Sequence, residues 1–460
     1  MLEKEFFHSS GFSPDRNQKK AIVHKDGPLL VLAGPGSGKT TVLTQRILYL
    51  TSVHQIPEEC ILVLTFTKKA ASEMETRYLD LKGSVSSRVT FGTFHSVFYR
   101  ILRENSEFGR YRLILEDEIM TDAAAVLKET CGEAVSARAF AESVCSGISA
   151  MKNGVKIKDP LVLSVYPVLK KKHLEEKRLD FDDMLLYTFR LLIDSPQLLA
   201  RLRKQYRYIL VDEFQDINRT QYEVLRLLAE PAGNIFAVGD DDQSIYGFRG
   251  SDPSFMKRFL TDFGKTEKIL LSVNYRSVSA VVRASLSLIR HNRKRFRKRL
   301  HASAPYGTKP VIRCFSSVRE EADYIKQTTV RSFDRLIASG TGTPSAAVLG
   351  RTNSVLESVK KELDPEFCKK LSFLTFHSSK GLEFDLVFIA GANEEITPGK
   401  RNLNGNGLEE ERRCFYVAVT RAKHFLHILY TSQLYNKSVK VTRFVNEIRT
   451  SPGAFSWMIK

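Results

Sequence analysis

A glycine-rich segment near the beginning of the sequence has the residue types and spacing of a phosphate-binding loop. It runs from residue 33 to residue 40 as AGPGSGKT, after a short apolar stretch. Glycines allow backbone amides to curl around phosphate oxygens, and the positive end of a following helix faces the same anion. We therefore expect a nucleoside triphosphate here, against the alternative of a glycine-rich turn without a ligand. The residues expected to bind it are Gly34, Gly36, Ser37, Gly38, Lys39 and Thr40.

Two carboxylates further along the chain have the types needed to complete this chemistry. Asp212 and Glu213 come directly after the apolar residues 208–211. Asp212 is expected to hold Mg²⁺ together with the Thr40 hydroxyl, and Glu213 to activate the attacking water. The alternative for such a pair by itself is a solvated acidic turn.

The elements that must position these residues follow from the apolar pattern. Short apolar strands alternate with amphipathic helices, which predicts an α/β fold with parallel sheets covered on both faces. The segment from about residue 96 to 205 is mainly helical and is interpreted as an insertion between two strands of the first sheet. Examples of the expected strands are 29–33, 61–65, 208–211, 235–238, 269–271, 346–349 and 386–390.

Composition indicates the kind of binding partner and the cellular compartment of the protein. The net charge is +18, which favours a phosphate-rich partner over evenly spread solubility charge. None of the six cysteines is spaced as CxxC, which argues against a zinc ribbon, an iron–sulfur cluster or a disulfide framework. The sequence shows neither a run of about 18 apolar residues nor a signal-peptide pattern, so a cytoplasmic protein is predicted.

A set of further segments occurs in the order found in one family. Residues 212–216, DEFQD, are similar to motif II of the superfamily 1A DNA helicases, the UvrD/Rep/PcrA family. A segment at 179–183 resembles the place where the helical insertion rejoins the first motor domain. The other similar segments are 12–18 (Q motif), 64–71 (Ia), 92–96 (Ib), 238–250 (III), 274–277 (IV), 375–384 (V) and 410–422 (VI).

The resemblance implies two RecA-like parallel-sheet domains with ATP between them. Domain 1A would comprise residues 1–95 and 206–264, the helical subdomain 1B residues 96–205, and domain 2A residues 265–460. Arg276 and Arg421 match two arginines that reach the γ-phosphate, and a surface salt bridge is the alternative for each. The remaining nucleotide contacts implied are Gln243 as γ-phosphate sensor, Gln18 and Tyr275 at adenine, Thr41 beside it, and Glu383 of motif V.

Contacts to single-stranded DNA are implied for a second group of residues. Aromatic side chains suit sequence-independent binding because every base has a π-face. Core packing is the alternative for an isolated phenylalanine. The residues implied are Phe66, His95, Tyr246, Phe248, Arg249 and His377.

Four departures from the family pattern accompany the resemblance. Phe248 stands where close relatives carry Trp, and Thr41 stands where they carry Arg. The interval between Arg276 and Thr375 is short, so subdomain 2B is predicted to be absent. Residues 290–299 hold seven Lys or Arg and are expected to contact phosphates, against the alternative of a solvated loop.

The resemblance implies an ATP-dependent 3′–5′ DNA helicase or single-strand translocase that uses ATP and Mg²⁺. Its expected partners are single-stranded DNA, 3′-tailed duplex and a protein that replaces 2B. The alternative is a DNA-stimulated ATPase that acts as a sensor or regulatory subunit beside a nuclease, for example in antiviral defence. A small-molecule kinase would not explain motifs III, V and VI, and the biological pathway, repair among others, stays open.

Overall fold

The computed structural model describes residues 3–131, 138–231, 233–399, 405–434, 437–449 and 456–457. The chain forms two compact units. The first comprises Met1–Leu32, Lys39–Gly239 and Tyr246–Ile269, and the second Ala33–Gly38, Asp240–Ile245 and Leu270–Lys460. Two short segments of the predicted first domain thus belong to the second unit, and the predicted domain boundaries stay predictions.

The strands are short and alternate with helices. In chain order they are β1 (Leu29–Ala33), β2 (Ile61–Thr65), β3 (Thr90–Thr93), β4 (Arg112–Leu113), β5 (Arg178–Leu179), β6 (Tyr208–Val211), β7 (Ile235–Gly239), β8 (Glu267–Leu271), β9 (Val273–Asn274), β10 (His301–Ala302), β11 (Val311–Phe315), β12 (Ala346–Gly350), β13 (Ser372–Thr375), β14 (Phe384–Ile389), β15 (Ala422–Thr431), β16 (Gln433–Leu434), β17 (Lys437–Ser438) and β18 (Ser456–Trp457).

The helices include several with polar caps at their first turn. In chain order they are α1 (Glu3–Ser9), α2 (Arg16–Val23), α3 (Lys39–Ser52), α4 (Lys68–Lys82), α5 (Phe94–Asn105), α6 (Glu116–Cys131), α7 (Arg138–Lys152), α8 (Pro160–Glu175), α9 (Phe181–Asp194), α10 (Pro196–Gln205), α11 (Arg219–Ala229), α12 (Ser254–Asp262), α13 (Ser279–Ile289), α14 (Val318–Ala338), α15 (Asn353–Lys361), α16 (Pro365–Cys368), α17 (Gly405–Val419) and α18 (Arg443–Arg449).

The first large sheet has the strand order β3-β2-β6-β7-β1-β8. The pairs β2–β3, β2–β6, β6–β7 and β1–β7 are parallel. Strands β1, β2 and β7 are buried along their whole length, as expected for apolar strands covered on both faces. Because β2 and β6 run in the same direction, Phe66 and Asp212 follow them at the same edge of the sheet.

The second large sheet has the order β13-β12-β14-β15-β11-β18, and its neighbouring strands also pair in parallel. Helices α14 and α15 pack on it around an apolar core that includes Ile325, Val348, Val359, Leu386 and Phe388. The two parallel sheets with their covering helices confirm the predicted α/β fold class.

Helices α5 to α10, with the small pair β4–β5, fill the chain between β3 and β6. Part of this helical segment has its own core, in which α6, α7 and α8 bring together residues such as Leu127, Val144 and Val165. The ammonium group of Lys152 at the end of α7 is buried between Asp180 and Asp183 at the start of α9.

The interval from Arg276 to Thr375 lies wholly within the described residues. It contains α13, β10, β11, α14, β12, α15, α16 and β13. The absence of a 2B subdomain stays a prediction. In the described part of the chain, no helix combines the length and the apolar character needed to cross a bilayer.

Candidate nucleotide and nucleic-acid site

The phosphate loop has the strand–loop–helix setting that its sequence predicts. It follows β1 and leads into α3, which begins at Lys39. Gly36 and Gly38 have φ angles of 65° and 81°, a left-handed conformation that favours glycine. The Ser37 hydroxyl donates to the Gly34 carbonyl over 2.8 Å. A glycine-rich turn of this kind is typical of loops whose backbone amides bind an anion.

The loop is bonded to the segment that carries Arg276, within the second unit. Asn274 Nδ2 donates to the Pro35 carbonyl, and the Tyr275 N–H donates to the Gly36 carbonyl, each over 2.8 Å. A Cβ atom added to Gly36 would lie 2.5 Å from the Cβ of Arg276, so the loop has no room for a side chain there. Tyr275 itself is 47% exposed. Gly36, Tyr275 and Arg276 are therefore brought together.

One of the two carboxylates after β6, Glu213, lies close to the lysine of the phosphate loop. Lys39 Nζ is 3.6 Å from Glu213 Oε1, and both side chains are largely buried. Asp212, at the end of β6, is 6% exposed. Thr40 and Thr41 occupy the first turn of α3, and both of their carbonyls accept from the Thr44 hydroxyl. Lys39 and Glu213 thus lie together in the first unit.

Arg421 and Gln243 are in contact inside the second unit. The Arg421 side chain is 1% exposed, and its Nη2 donates to Gln243 Oε1 over 3.2 Å. Its other donors bind the carbonyls of Val417 and Leu382. Arg421 is therefore not a surface salt bridge. The Gln243 carbonyl accepts from Lys380 Nζ over 2.9 Å, which links motifs III, V and VI.

Arg276 forms an ion pair, as the alternative interpretation predicted, but its partner Glu383 is itself a predicted site residue. Its Nε lies 2.6 Å from Glu383 Oε2, while Lys423 Nζ lies 3.1 Å from Glu383 Oε1. Burial acts to raise the pKa of Glu383, but the two cations outweigh it and the pKa lies below its usual value. Glu383 is therefore a carboxylate that holds Arg276 beside the loop.

Gln18 lies in the capping box of α2. Its Oε1 accepts the Asp15 N–H over 3.1 Å, and the side chain is 3% exposed. Arg46 of α3 is fully buried and donates to carbonyls at the end of α2, including those of Ala21 and Ile22. Sequence reasoning missed Arg46, which ties the helix of the phosphate loop to the helix of the Q motif.

Four residues of the first unit form an aromatic cluster, which we define as Phe66, Tyr246, Phe248 and Arg249. The rings of Phe66 and Tyr246 stack with centroids 4.9 Å apart and planes 17° apart. Phe248 is 64% exposed, and the guanidinium of Arg249 lies 5.5 Å from its ring centroid. An exposed phenylalanine beside a stacked pair offers a surface on which a base can stack.

His95 lies beside an exposed phenylalanine that sequence reasoning did not single out. Its imidazole meets the ring of Phe181 edge to face, with centroids 5.7 Å apart, and Phe181 is 48% exposed. Burial lowers the pKa of His95, although the charge of Asp182 opposes this. The signal was present, because Phe181 lies inside the similar segment 179–183.

His377 lies in the second unit beside a buried thiol. Its Nε2 is 3.6 Å from the Sγ of Cys414, and burial is the largest cause that raises the pKa of Cys414. His377 of motif V therefore contacts Cys414 of motif VI. This contact does not test the expected role of His377 at DNA.

The basic run 290–299 divides into exposed and buried cations. Arg290, Arg293, Lys294, Arg297 and Arg299 are exposed. The half-buried Arg295 and the buried Lys298 instead form ion pairs with aspartates of motif III. The expected phosphate contact is therefore wrong for these two residues, because intramolecular carboxylates already occupy them.

Family comparison agrees with this geometry. A model of the UvrD/REP helicase N-terminal domain matches residues 15–264, and a model of the UvrD-like helicase C-terminal domain matches residues 269–367 and 356–433. The chain belongs to the UvrD/Rep helicase family. The resemblance drawn from the motifs is thereby confirmed.

Individual members of the UvrD/Rep family match over most of this chain. The YjcD protein of Bacillus subtilis is 34% identical over 421 residues, which are 87% of this chain and 54% of that protein. The ATP-dependent DNA helicase PcrA of Staphylococcus epidermidis is 33% identical over 401 residues, and that of Staphylococcus aureus is 32% identical; these matches cover 83% of this chain and 54% of each relative. The chain thus spans about half the length of the curated relatives it matches.

Proposed function

We propose that this protein is an ATP-hydrolysing motor that moves 3′–5′ along single-stranded DNA and unwinds duplex. The observation that carries the proposal is the bonding of the phosphate loop to the Arg276 segment through Asn274 and Tyr275. It presents a permanent cation beside the loop expected to hold the triphosphate. Charge developing on a transferred phosphoryl group is stabilised by such an arginine.

We assign roles to the chain's own residues from the motifs that carry them. Lys39 binds the outer phosphates, for which it leaves Glu213, and Glu213 then accepts a proton from the attacking water. Arg276 and Arg421 stabilise the phosphoryl group that is transferred. Gln243 acts as the γ-phosphate sensor. Adenine is assigned to Gln18, Thr41 and Tyr275.

Mg²⁺ is proposed as the metal of this site. Mg²⁺ prefers hard oxygen donors. Asp212, directly after β6, supplies a carboxylate, and Thr40, in the first turn of α3, supplies a hydroxyl. When bound, the ion would neutralise charge on the β- and γ-phosphates. Asp212 and Thr40 would orient it.

Single-stranded DNA is proposed to stack on the aromatic cluster, with Phe181 and His95 as a second contact. The support is the exposure of Phe248 and Phe181, two large apolar side chains that an intramolecular core would normally cover. His377 is assigned to the same strand by the family resemblance. The 3′–5′ direction is also assigned by that resemblance.

A second candidate function is a DNA-stimulated ATPase that works beside a nuclease or another partner. The interval between Arg276 and Thr375 favours it, because it holds only the elements α13 to β13 and leaves no length for a further subdomain. The two-piece match of the C-terminal family model also supports a missing 2B. In this alternative a partner protein takes the place of 2B.

The decisive experiment measures ATP hydrolysis with and without single-stranded DNA. We expect DNA to stimulate turnover, and Lys39→Ala to lower kcat at least about 100-fold, since it removes the cation from the outer phosphates. Lys369→Ala, which removes an exposed lysine, is the matched control and should keep wild-type turnover. Full turnover of Lys39→Ala would refute the site.

Strand displacement separates the two candidates. Unwinding of a 3′-tailed but not a 5′-tailed duplex supports the helicase. DNA-stimulated hydrolysis without displacement of either duplex supports the ATPase subunit.

A further inference from the structure

Three consecutive carboxylates are buried next to Gln243 in the second unit. Asp240, Asp241 and Asp242, here called the aspartate triad, are each at most 2% exposed. Their oxygens lie within 4.8 Å of one another, close enough to bind a metal ion. Three buried negative charges at this separation strongly repel each other unless cations face them.

Two residues of the basic run supply those cations. Lys298 Nζ contacts all three aspartates, at 2.5 Å from Asp241 and 2.8 Å from Asp242 with Asp240 closer still, and its side chain is 0% exposed. Arg295 binds both oxygens of Asp242, with Nε 2.7 Å from Oδ1. Because the ammonium group already lies among the three carboxylates, we propose no metal there.

The charge balance of the triad is reflected in the pKa of Lys298. Burial by itself would lower that pKa, but the aspartates outweigh burial and raise it above the usual value. The Phe296 N–H adds a hydrogen bond to Asp241 Oδ2 over 2.7 Å. The segment 295–298 is therefore fixed to motif III by side-chain and backbone bonds.

Asp240 connects Lys298 to Gln243. One carboxylate oxygen, Oδ1, accepts from Lys298, and the other, Oδ2, accepts from Gln243 Nε2 over 2.7 Å. Gln243 Oε1 accepts from Arg421. An acceptor on one side and a cationic donor on the other allow only one orientation of the amide.

We propose that Lys298 is a positioning residue for ATP hydrolysis, which holds Asp240 so that Gln243 keeps one orientation towards Arg421 and the γ-phosphate. This inference rests on the proposed function. Without the ammonium group the triad carries uncompensated charge, its carboxylates separate or take up protons, and Gln243 loses its fixed partner. Lys298 touches neither nucleotide nor water in this mechanism.

The test is a double-mutant cycle on DNA-stimulated turnover with Lys298→Met, Gln243→Ala and the combination of both. We expect Lys298→Met to lower kcat roughly 10- to 100-fold while the KM for ATP changes less than about threefold. Because Lys298 acts through Gln243, adding Lys298→Met to Gln243→Ala should cause no further loss. A multiplicative loss in the combined variant would overturn the inference.

A matched control distinguishes positioning from general stability. Arg178→Met removes a largely buried cation that lies 2.9 Å from Asp122 in the helical segment. It should lower the melting temperature and leave kcat unchanged. An equal fall of kcat in Arg178→Met and Lys298→Met, at equal loss of melting temperature, would show that Lys298 only stabilises the fold.

Three further outcomes keep the test decisive. If Lys298→Met does not fold, Lys298→Met with Asp241→Asn removes one charge of each sign, and full turnover of that folded protein would overturn the inference. If wild-type protein hydrolyses no ATP, the proposed function itself fails. If wild type and Lys39→Ala behave as expected while Lys298→Met is fully active, only the role of Lys298 fails.

Discussion

At the residue scale, the aromatic side chains proposed to contact DNA differ in how far they are exposed. Phe66 and Tyr246 stack on each other, while Phe248 and Phe181 expose large parts of their rings. A ring that stacks on a neighbour keeps a fixed orientation and has little rotamer freedom left to lose. Within the aromatic cluster, the stacked pair of Phe66 and Tyr246 therefore keeps a fixed orientation.

Replacement of aromatic side chains tests this surface. We expect Phe248→Ala and Phe181→Ala each to weaken binding of single-stranded DNA by about 1–3 kcal/mol, because each removes one stacking surface. Fluorescence anisotropy with a labelled oligonucleotide measures the change. Phe140→Ala, which removes another exposed phenylalanine from α7, is the control and should bind as wild type does. Unchanged affinity of both Phe248→Ala and Phe181→Ala would contradict the assignment.

The sequence predicted the residues of the nucleotide site better than their contacts. Spacing within a loop is local, so Lys39 and Glu213 could be found from short motifs, and the structure places them together. The partners of Arg295 and Lys298 lie about fifty residues earlier in the chain, and a run of basic letters does not show which cations turn inward. Arg46 was missed for the same reason, because its acceptors are backbone carbonyls of another helix.

At the element scale, helix α14 carries a carboxylate into the apolar core of the second sheet. Glu321 is 2% exposed and lies beside Ala322 and near Ile325 on the buried face of the helix. Burial raises its pKa from 4.5 to about 7, although the N–H of Gly391 opposes this. The core therefore favours the neutral acid.

This burial predicts a pH-dependent stability. In the unfolded chain Glu321 ionises near pH 4.5, whereas the folded protein resists ionisation until about pH 7. The wild type should therefore lose about 3 kcal/mol relative to Glu321→Gln as pH rises through this window, since only the wild type must bury a charge. Chemical denaturation at pH 4.5 to 8 measures the difference.

A control on the same helix sharpens the measurement. Asp334→Asn removes an exposed carboxylate of α14, and its stability relative to wild type should vary little over the same pH range. A constant difference between wild type and Glu321→Gln from pH 4.5 to 8 would show that Glu321 is not held neutral.

Elements were predicted well where apolar runs are continuous and poorly where they are not. The expected strands 29–33, 61–65 and 208–211 coincide with β1, β2 and β6. Strand β3 was missed because its sequence TFGT is short, contains glycine and lies at the edge of the sheet. Strand β15 was missed because lysine and two histidines interrupt its apolar pattern.

At the scale of the whole molecule, the net charge of +18 is the dominant property. The net charge already counts the aspartates that pair with Arg295 and Lys298, so these ion pairs leave it unchanged but remove two cations of the basic run from contact with a partner. Arg297 and Arg299 of the basic run are exposed, so phosphates can approach them from solvent.

Salt dependence tests this remaining charge. Affinity for single-stranded DNA should fall at least roughly tenfold between about 50 and 200 mM salt, because bound phosphates release their counterions. Arg297→Gln with Arg299→Gln should make the logarithmic slope shallower. Lys361→Gln with Lys369→Gln, two exposed lysines outside the run, is the control. Equal slopes of log affinity against log salt concentration for both double variants would show that the run is not part of the DNA-binding surface.

The order of strands in the first sheet has a consequence for synthesis on the ribosome. Strand β2 pairs with β6, which emerges only after the whole helical segment, and β1 pairs with β7, which emerges later still. Until then the nascent chain displays β1 and β2 with open hydrogen-bonding edges, the kind of surface that invites aggregation and chaperone capture. The glycine loop is consequently supported by its sheet only late in translation, so a truncated product that ends before β6 would carry the phosphate motif without a folded site.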